Sequence, residues 1–270
     1  MTEIEKIYID SRDRISGDSS DFKIKLPRRV KVNNNSFFSI DNVNIPYTIN
    51  TIETGHNNLY ISQYSVTLYT TTYYKVELTN GYYSGASLVS EINNQITGYF
   101  GLSLVAVYNI ASNTITFKTN NINIQSYIVT DAELEDETFY SGNHFIYDRL
   151  NHGSINYIIH NTVFHDTFDN VVGWTSEFLD LHKVKNIYIH SNALTNNNVI
   201  TSHGDSNVIM KCPINCSYGN NILYNSATGD FLPCLSIPDI SELDFYITDG
   251  KGRPINMHSM DISFSIIFKK

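Results

Sequence analysis

The chain has 270 residues, 17% of them charged, 13% aromatic and 41% hydrophobic, with a net charge of −9. That length supports a sizeable core, that hydrophobic share excludes a disordered chain, and a charge content below the usual quarter suits surfaces that meet other proteins. No apolar run reaches the length of a membrane span, and Met1–Asp10 mixes charged with apolar residues, so neither a membrane helix nor a signal peptide is expected.

Period-two alternation dominates from the first residues onward. Glu3–Asp10 places Ile4, Lys6 and Tyr8 opposite Glu5, Ile7 and Ile9. Asp21–Leu26 sets Phe22, Ile24 and Leu26 on one face, with Lys23 and Lys25 on the other, and Pro27 is expected to end that ladder. Phe37–Ile45 is a third strand, followed by Leu59–Gln63, Ser65–Tyr69 and Tyr73–Leu78. A helix follows, N-capped by Ser84 or Ser87, with Leu88, Val89, Ile92 and Ile96 as its apolar stripe and Gly98 as its stop. Leu102–Tyr108 and Thr114–Thr119 read as a hairpin across Ala111-Ser112-Asn113. Phe178–Val184 reads as a short helix or turn. The remaining expected strands are Asn156–Ile159, Lys185–His190, Val208–Lys211, Asn221–Tyr224, Phe231–Leu235, Glu242–Thr248 and Asp261–Lys269. Short strands separated by Asn, Gly and Ser turns predict an all-β sandwich or barrel. The helix with its flanking strands predicts a small α+β insertion at about 80–150 within one domain spanning 1–270.

Thirty-two residues are Asn and only 12 are Lys. Codon bias toward A and T accounts for Asn, Ile and Tyr but not for scarce Lys, which fits surfaces buried between subunits. The basic residues are unevenly placed: Lys6, Arg12, Arg14, Lys23, Lys25, Arg28, Arg29 and Lys31 all precede residue 32. Asp131–Glu137 is the strongest acidic run and reads as a solvated loop. Cys212, Cys216 and Cys234 are an odd number and read as free thiols of a reducing compartment.

No pattern for chemistry emerges. The chain has no Gly-x-Ser-x-Gly elbow, no phosphate-binding loop and no His-Glu-x-x-His helix, and its nine His are scattered. No catalytic residue, cofactor or metal is therefore expected. Asp10-Ser11-Arg12-Asp13-Arg14 reads as a turn whose arginines form carboxylate pairs within the fold or across a subunit boundary. Trp174, the single Trp, reads as a core or interface anchor.

Several stretches carry a family resemblance. Ile9-Asp10-Ser11-Arg12-Asp13-Arg14 followed by Ser20-Asp21-Phe22-Lys23-Ile24-Lys25-Leu26-Pro27 resembles the opening of penton (minor capsid) proteins of virophages and Polinton/Maverick-type elements. The series Ile187-Tyr188-Ile189-His190-Ser191-Asn192, then Val208–Asn215, then Asp249-Gly250-Lys251-Gly252-Arg253-Pro254-Ile255 and a closing strand ending in Phe268-Lys269-Lys270 is similar to that family in order. The resemblance covers both ends and fades over about 80–175. It implies a single jelly roll forming a homopentamer at the fivefold vertex of an icosahedral capsid, among double-jelly-roll major capsid proteins. It places the protein in the virion, after synthesis in the host cytoplasm. The divergent middle would be an insertion at the vertex tip.

Asp10, Arg12, Asp13, Arg14, Arg28, Arg29 and Trp174 are the candidate subunit-interface or capsid-contact residues. The basic N-terminal segment is expected to contact the particle interior, and deleting residues 1–14 is expected to spare monomer folding. Two other functions fit a β-sandwich. A host-attachment or glycan-binding module needs an aromatic platform near Trp174 or Tyr82-Tyr83. A metal oxygenase needs clustered His ligands.

Overall fold

A computed structural model describes residues 3–32, 36–100, 103–121, 123–136, 153–159, 166–168, 171–194, 199–201, 204–225, 231–234 and 239–270. The chain divides into two compact units: residues Met1–Ile49 with Val184–Lys270, and residues Asn50–Lys183. The second unit extends past both ends of the stretch at about 80–150.

The first unit starts with β1 (Ile4–Asp10), a 3-10 turn (Ser11–Asp13), β2 (Ser16–Gly17), β3 (Asp21–Lys31) and β4 (Phe37–Pro46). The second unit contributes β5 (Asn58–Ser65), β6 (Thr70–Glu77), α1 (Gly85–Phe100), β7 (Leu104–Asn109), β8 (Thr114–Thr119), β9 (Ile124–Ile128), α2 (Asp131–Glu135), α3 (Asn156–Ile159), β10 (Asp166–Phe168) and β11 (Val171–Thr175). The first unit then resumes with β12 (Asn186–His190), β13 (Val199–Thr201), β14 (Gly204–Ser206), β15 (Val208–Pro213), β16 (Asn221–Asn225), β17 (Leu232–Pro233), β18 (Asp239–Thr248) and β19 (Ser263–Lys269).

In the first unit one sheet runs β1-β19-β4-β16, with β17 also on β4, and the other runs β15-β12-β18-β3-β2. The eight principal strands, counted along the chain, lie in the orders 1-8-3-6 and 5-4-7-2, all antiparallel. Two four-stranded sheets threaded in this way are a jelly roll. The alternation that marks each strand supplies the core between them: Phe22, Ile24 and Leu26 from β3 and Leu243, Phe245 and Ile247 from β18 meet Phe38, Phe264 and Phe268 from the other sheet. Phe245 packs edge-on against Phe264 with centroids 4.9 Å apart. Burying side chains of this size contributes about 1.5–3 kcal/mol each.

The second unit enters between the third and fourth strands of the roll. It holds the sheets β6-β5-β9 and β10-β11-β8-β7. Helix α1 buries Leu88, Val89, Ile92 and Ile96, the expected stripe, in a core of its own with Leu59, Ile61, Ile115 and Phe117. Asn93 on α1 accepts from the Ala106 amide and donates to the Ala106 carbonyl, both at 2.8 Å, which fastens the helix to β7.

Five local expectations are corrected. Pro27 does not end its strand: β3 continues to Lys31 through a bulge in which residues 26–29 of β3 lie opposite Ser241 alone, because Pro27 has no amide to offer the ladder. Gly98 does not stop α1, which runs to Phe100. Ser65–Tyr69 is not a separate strand: Ser65 ends β5 and residues 66–69 form the β5–β6 turn. Asn156–Ile159 is helical, which turns both Ile158 and Ile159 into the core beside Ile155. Phe178–Val184 contains no helix or turn. The histidines at 144, 152, 160, 165 and 203 lie outside the described residues, as do Glu137 and Leu235.

Candidate functional site

The N-terminal candidates gather where the chain's two ends meet. Strand β1 pairs with β19 along its whole length, from Ile4 opposite Lys269 to Asp10 opposite Ser263. Where β1 ends, the Asp10 carboxylate accepts from the Arg12 amide at 3.0 Å and caps the 3-10 turn. The same carboxylate takes a fork of bonds from the Arg12 guanidinium, at 2.9 Å and 3.1 Å from Nε and 2.6 Å from Nη2. That pairing holds the Asp10 carboxyl below its ordinary range.

Ser11 is fully buried and joins this turn to the strand β19 approach. Its amide donates to the Ile262 carbonyl at 2.9 Å, its hydroxyl donates to Asp261 at 2.8 Å, and it accepts from the Ile262 amide at 3.0 Å. Arg14 completes the cluster, with Nη1 2.7 Å from the Ser11 carbonyl and 3.2 Å from Asp261. Ser11 and Asp261 carry this junction, yet their spacing of 250 residues leaves no local signal for it.

A second node forms around Glu5. Arg28, lifted out of the ladder by the bulge at Pro27, reaches Glu5 at 2.5 Å from the opposite sheet, and Lys270 reaches the other carboxylate oxygen at 2.6 Å. Lys6 pairs with Asp41 on the same sheet. Asp13 and Arg29 are exposed and make no ion pair among the described residues. Arg12 and Arg28 also stay largely exposed while paired. Exposed arginine and carboxylate groups can bind complementary charge on a neighbouring protein; nothing in their arrangement supplies a nucleophile or an acid–base pair.

Two expectations change here. Strand β1 is an integral part of the sandwich, with Ile9 buried, so removing residues 1–14 takes a strand and its core side chains away. Trp174 is 3% exposed and packs on Phe117 with centroids 5.4 Å apart, inside the core of the second unit. A side chain so buried has no face for a partner subunit or a sugar, so Trp174 is a core anchor.

Sequence reading also missed a polar network on β12 and β18. His190 is nearly buried, stacked on Tyr246 at 4.5 Å and 9°, and bonded at 2.9 Å to Asn207 and 2.8 Å to Thr248. Asp244 sets the orientation of this chain: it accepts from Asn192 Nδ2, Asn192 Oδ1 accepts from Asn207 Nδ2, and Asn207 Oδ1 then faces His190 and the Tyr246 hydroxyl. An amide oxygen only accepts, so His190 Nδ1 carries a proton. Burial lowers the His190 pKa, against a smaller opposing effect of the Asn207 bond. Burial also pushes the Cys212 thiol up to about 12 and Cys234 up to about 11, which keeps both unreactive. Among the described residues no group of three or more His, Cys, Asp or Glu is placed to hold a metal ion, and no helix is long and apolar enough to cross a membrane.

No family model matches the chain, and no curated protein matches it. Among solved structures, the crystal structure of the selenomethionine-labelled mavirus penton protein matches with a TM-score of 0.58 at 10% identity. The match covers 99% of this chain and 99% of that one. At this identity the likeness establishes the fold, and its reach takes in both units.

Proposed function

We propose that this chain is a structural capsid protein, a penton that closes as a homopentamer at the fivefold vertices of an icosahedral particle. The observation that carries this reading is a jelly roll interrupted between its third and fourth strands, matching a penton protein from end to end. Sequence order points the same way through the motifs at both chain ends. The low charge content supports it as well, since surfaces that pack side by side shed Lys, Glu and Asp. A ring of five uses heterologous contacts that close by rotation.

In this reading the jelly roll forms the vertex plug among double-jelly-roll major capsid proteins, and the second unit is the insertion. Arg12, Asp13, Arg28 and Arg29, exposed around the chain ends, are the proposed capsid contacts, with Asp10 and Arg14 holding their turn in shape. No catalytic step is assigned to the protein. Its place is the virion, after synthesis in the host cytoplasm.

The test is a reconstruction of assembled particles carrying this chain with a small C-terminal tag. Tag density at the fivefold positions is expected. Density at the quasi-sixfold positions, or particles whose vertices lack the chain, would overturn the assignment.

A further inference from the structure

Each sheet of the roll has two edges, and three of the four are blunted. Strand β3 is covered by β2 at one end and bent by the Pro27 bulge toward the other. Strand β15 carries Pro213 and a shift of register beside His190. Strand β16 has five residues, and its Leu223 carbonyl accepts from Asn215 Nδ2 at 3.4 Å. Proline, bulges, short length and side-chain cover keep an edge from pairing with other chains.

Strand β1 has none of these devices. Its seven residues contain no Pro or Gly and pair with β19 without a shift of register. At the ends of that pairing the Lys270 amide donates to the Glu3 carbonyl and the Ser11 amide to the Ile262 carbonyl, both at 2.9 Å. In this register the odd-numbered residues turn their backbone toward β19. The amides and carbonyls of Ile4, Lys6 and Tyr8 therefore face outward from the edge, in a row that repeats about every 7 Å. Among the described residues no group bonds to them. The same three side chains stand on the outer face of the sheet, with Ile4 and Tyr8 62% and 77% exposed and Lys6 between them.

We propose that the free edge of β1 is a docking site for an extended strand donated by a different protein, which adds to the sheet beside β1. The backbone identifies the occupant. A row of paired donors and acceptors at strand spacing is matched in register by another extended backbone. The side chains set the class of sequence. Opposite Ile4 and Tyr8 the incoming strand carries apolar residues, and opposite Lys6 it carries a carboxylate. A second copy fits less well: β1 laid antiparallel on β1 at full overlap sets Ile4 opposite Asp10, and the other edges of the roll are blunted. The inference rests on the edge alone and is independent of the vertex reading.

The probe is a fluorescein-labelled peptide, Ser-Lys-Thr-Val-Thr-Glu-Thr-Val-Thr-Lys, whose Val-Thr-Glu-Thr-Val centre reads the same in both directions. Binding to the full chain is measured by fluorescence anisotropy, and hydrogen exchange follows the amides. In the chain alone the Ile4, Lys6 and Tyr8 amides should exchange freely, and the peptide should protect them; Glu5, Ile7 and Ile9 should be protected in both states. Tyr8→Pro deletes one outward amide and spares the β19 ladder, so it should weaken binding by about tenfold or more with the urea midpoint unchanged. Tyr8→Thr keeps the amide and should weaken binding by less than about threefold. Lys6→Glu should weaken binding by about threefold or more, and a peptide with Lys in place of the central Glu should restore it. If Tyr8→Pro unfolds the chain, the Lys6 reversal and its rescue decide alone. Absence of saturable binding overturns the inference, as does binding that Tyr8→Pro and Lys6→Glu leave unchanged, or outward amides that exchange equally fast with peptide. A concentration-dependent dimer in sedimentation that Tyr8→Pro abolishes also overturns it, by reassigning the edge to a second copy.

Discussion

Ser11, in the turn that follows the first strand of the roll, makes three hydrogen bonds to Asp261 and Ile262 just ahead of the last strand, and it is buried while doing so. Ser11→Ala removes the hydroxyl and leaves the Ile262 amide without its acceptor, so it should cost about 1–3 kcal/mol. Urea unfolding monitored by fluorescence reads this directly. Arg12→Ala should leave the urea midpoint unchanged, because its pair with Asp10 is local and exposed to solvent. His190 makes a prediction in pH. Its folded pKa lies below the ordinary 6.5, so the unfolded chain takes up protons first as pH falls. Stability is complete above pH 6.5 and declines below it toward the folded value. Asp10, Asp18 and Asp249, all held below the ordinary 3.8, begin to act only at lower pH. His190→Gln should flatten the slope that sets in below about pH 6.5 in denaturant titrations; an unchanged slope would assign it to other groups. The turn at Asp10–Arg14 and its arginine–carboxylate pairing were legible in the sequence; the partners of Ser11 and His190 were not, since Asp261 and Thr248 look like any other polar residues until folding brings them together.

At the scale of elements, alternation identified most strands correctly, and its failures have physical causes. In Ser65–Tyr69 the residues favour a strand, but the chain reverses there and Tyr69 accepts an unfavourable φ. Asn156–Ile159 is a short apolar run, which periodicity cannot divide between strand and helix; Ile155, Ile158 and Ile159 all reach the core only when helical. Leu88, Val89, Ile92 and Ile96 were readable because a four-turn helix repeats its buried face. The β2–β3 turn offers a test at this scale. Gly17 lies at φ +88°, and a Cβ there would fall 2.0 Å from the Asp21 carbonyl oxygen. Gly17→Ala should therefore cost more than the usual ~1 kcal/mol of a left-handed alanine and loosen β2 from β3. Hydrogen exchange at the Ile15 amide, bonded to Lys23 at 2.8 Å, should accelerate as the turn opens.

For the whole molecule, each unit has a core built from its own residues. Ile92→Ala and Phe245→Ala should each cost about 2–5 kcal/mol, within the unit that holds the residue. Calorimetry should show two transitions, with each variant moving one of them; a single transition displaced by both would refute the division. What the residues alone determined is local: an all-β chain, a helix with one apolar face, strands whose faces are set by a period of two, and a basic opening segment. Those features follow from side chains a few positions apart, which a linear string displays. Tertiary structure alone decided that Ile4 lies opposite Lys269, that Ser11 bonds Asp261, that the second unit spans Asn50–Lys183, and that Trp174 is buried rather than presented. Partners so far apart are chosen by which apolar faces can be buried together in one packing, and no short window of sequence contains both sides of that choice.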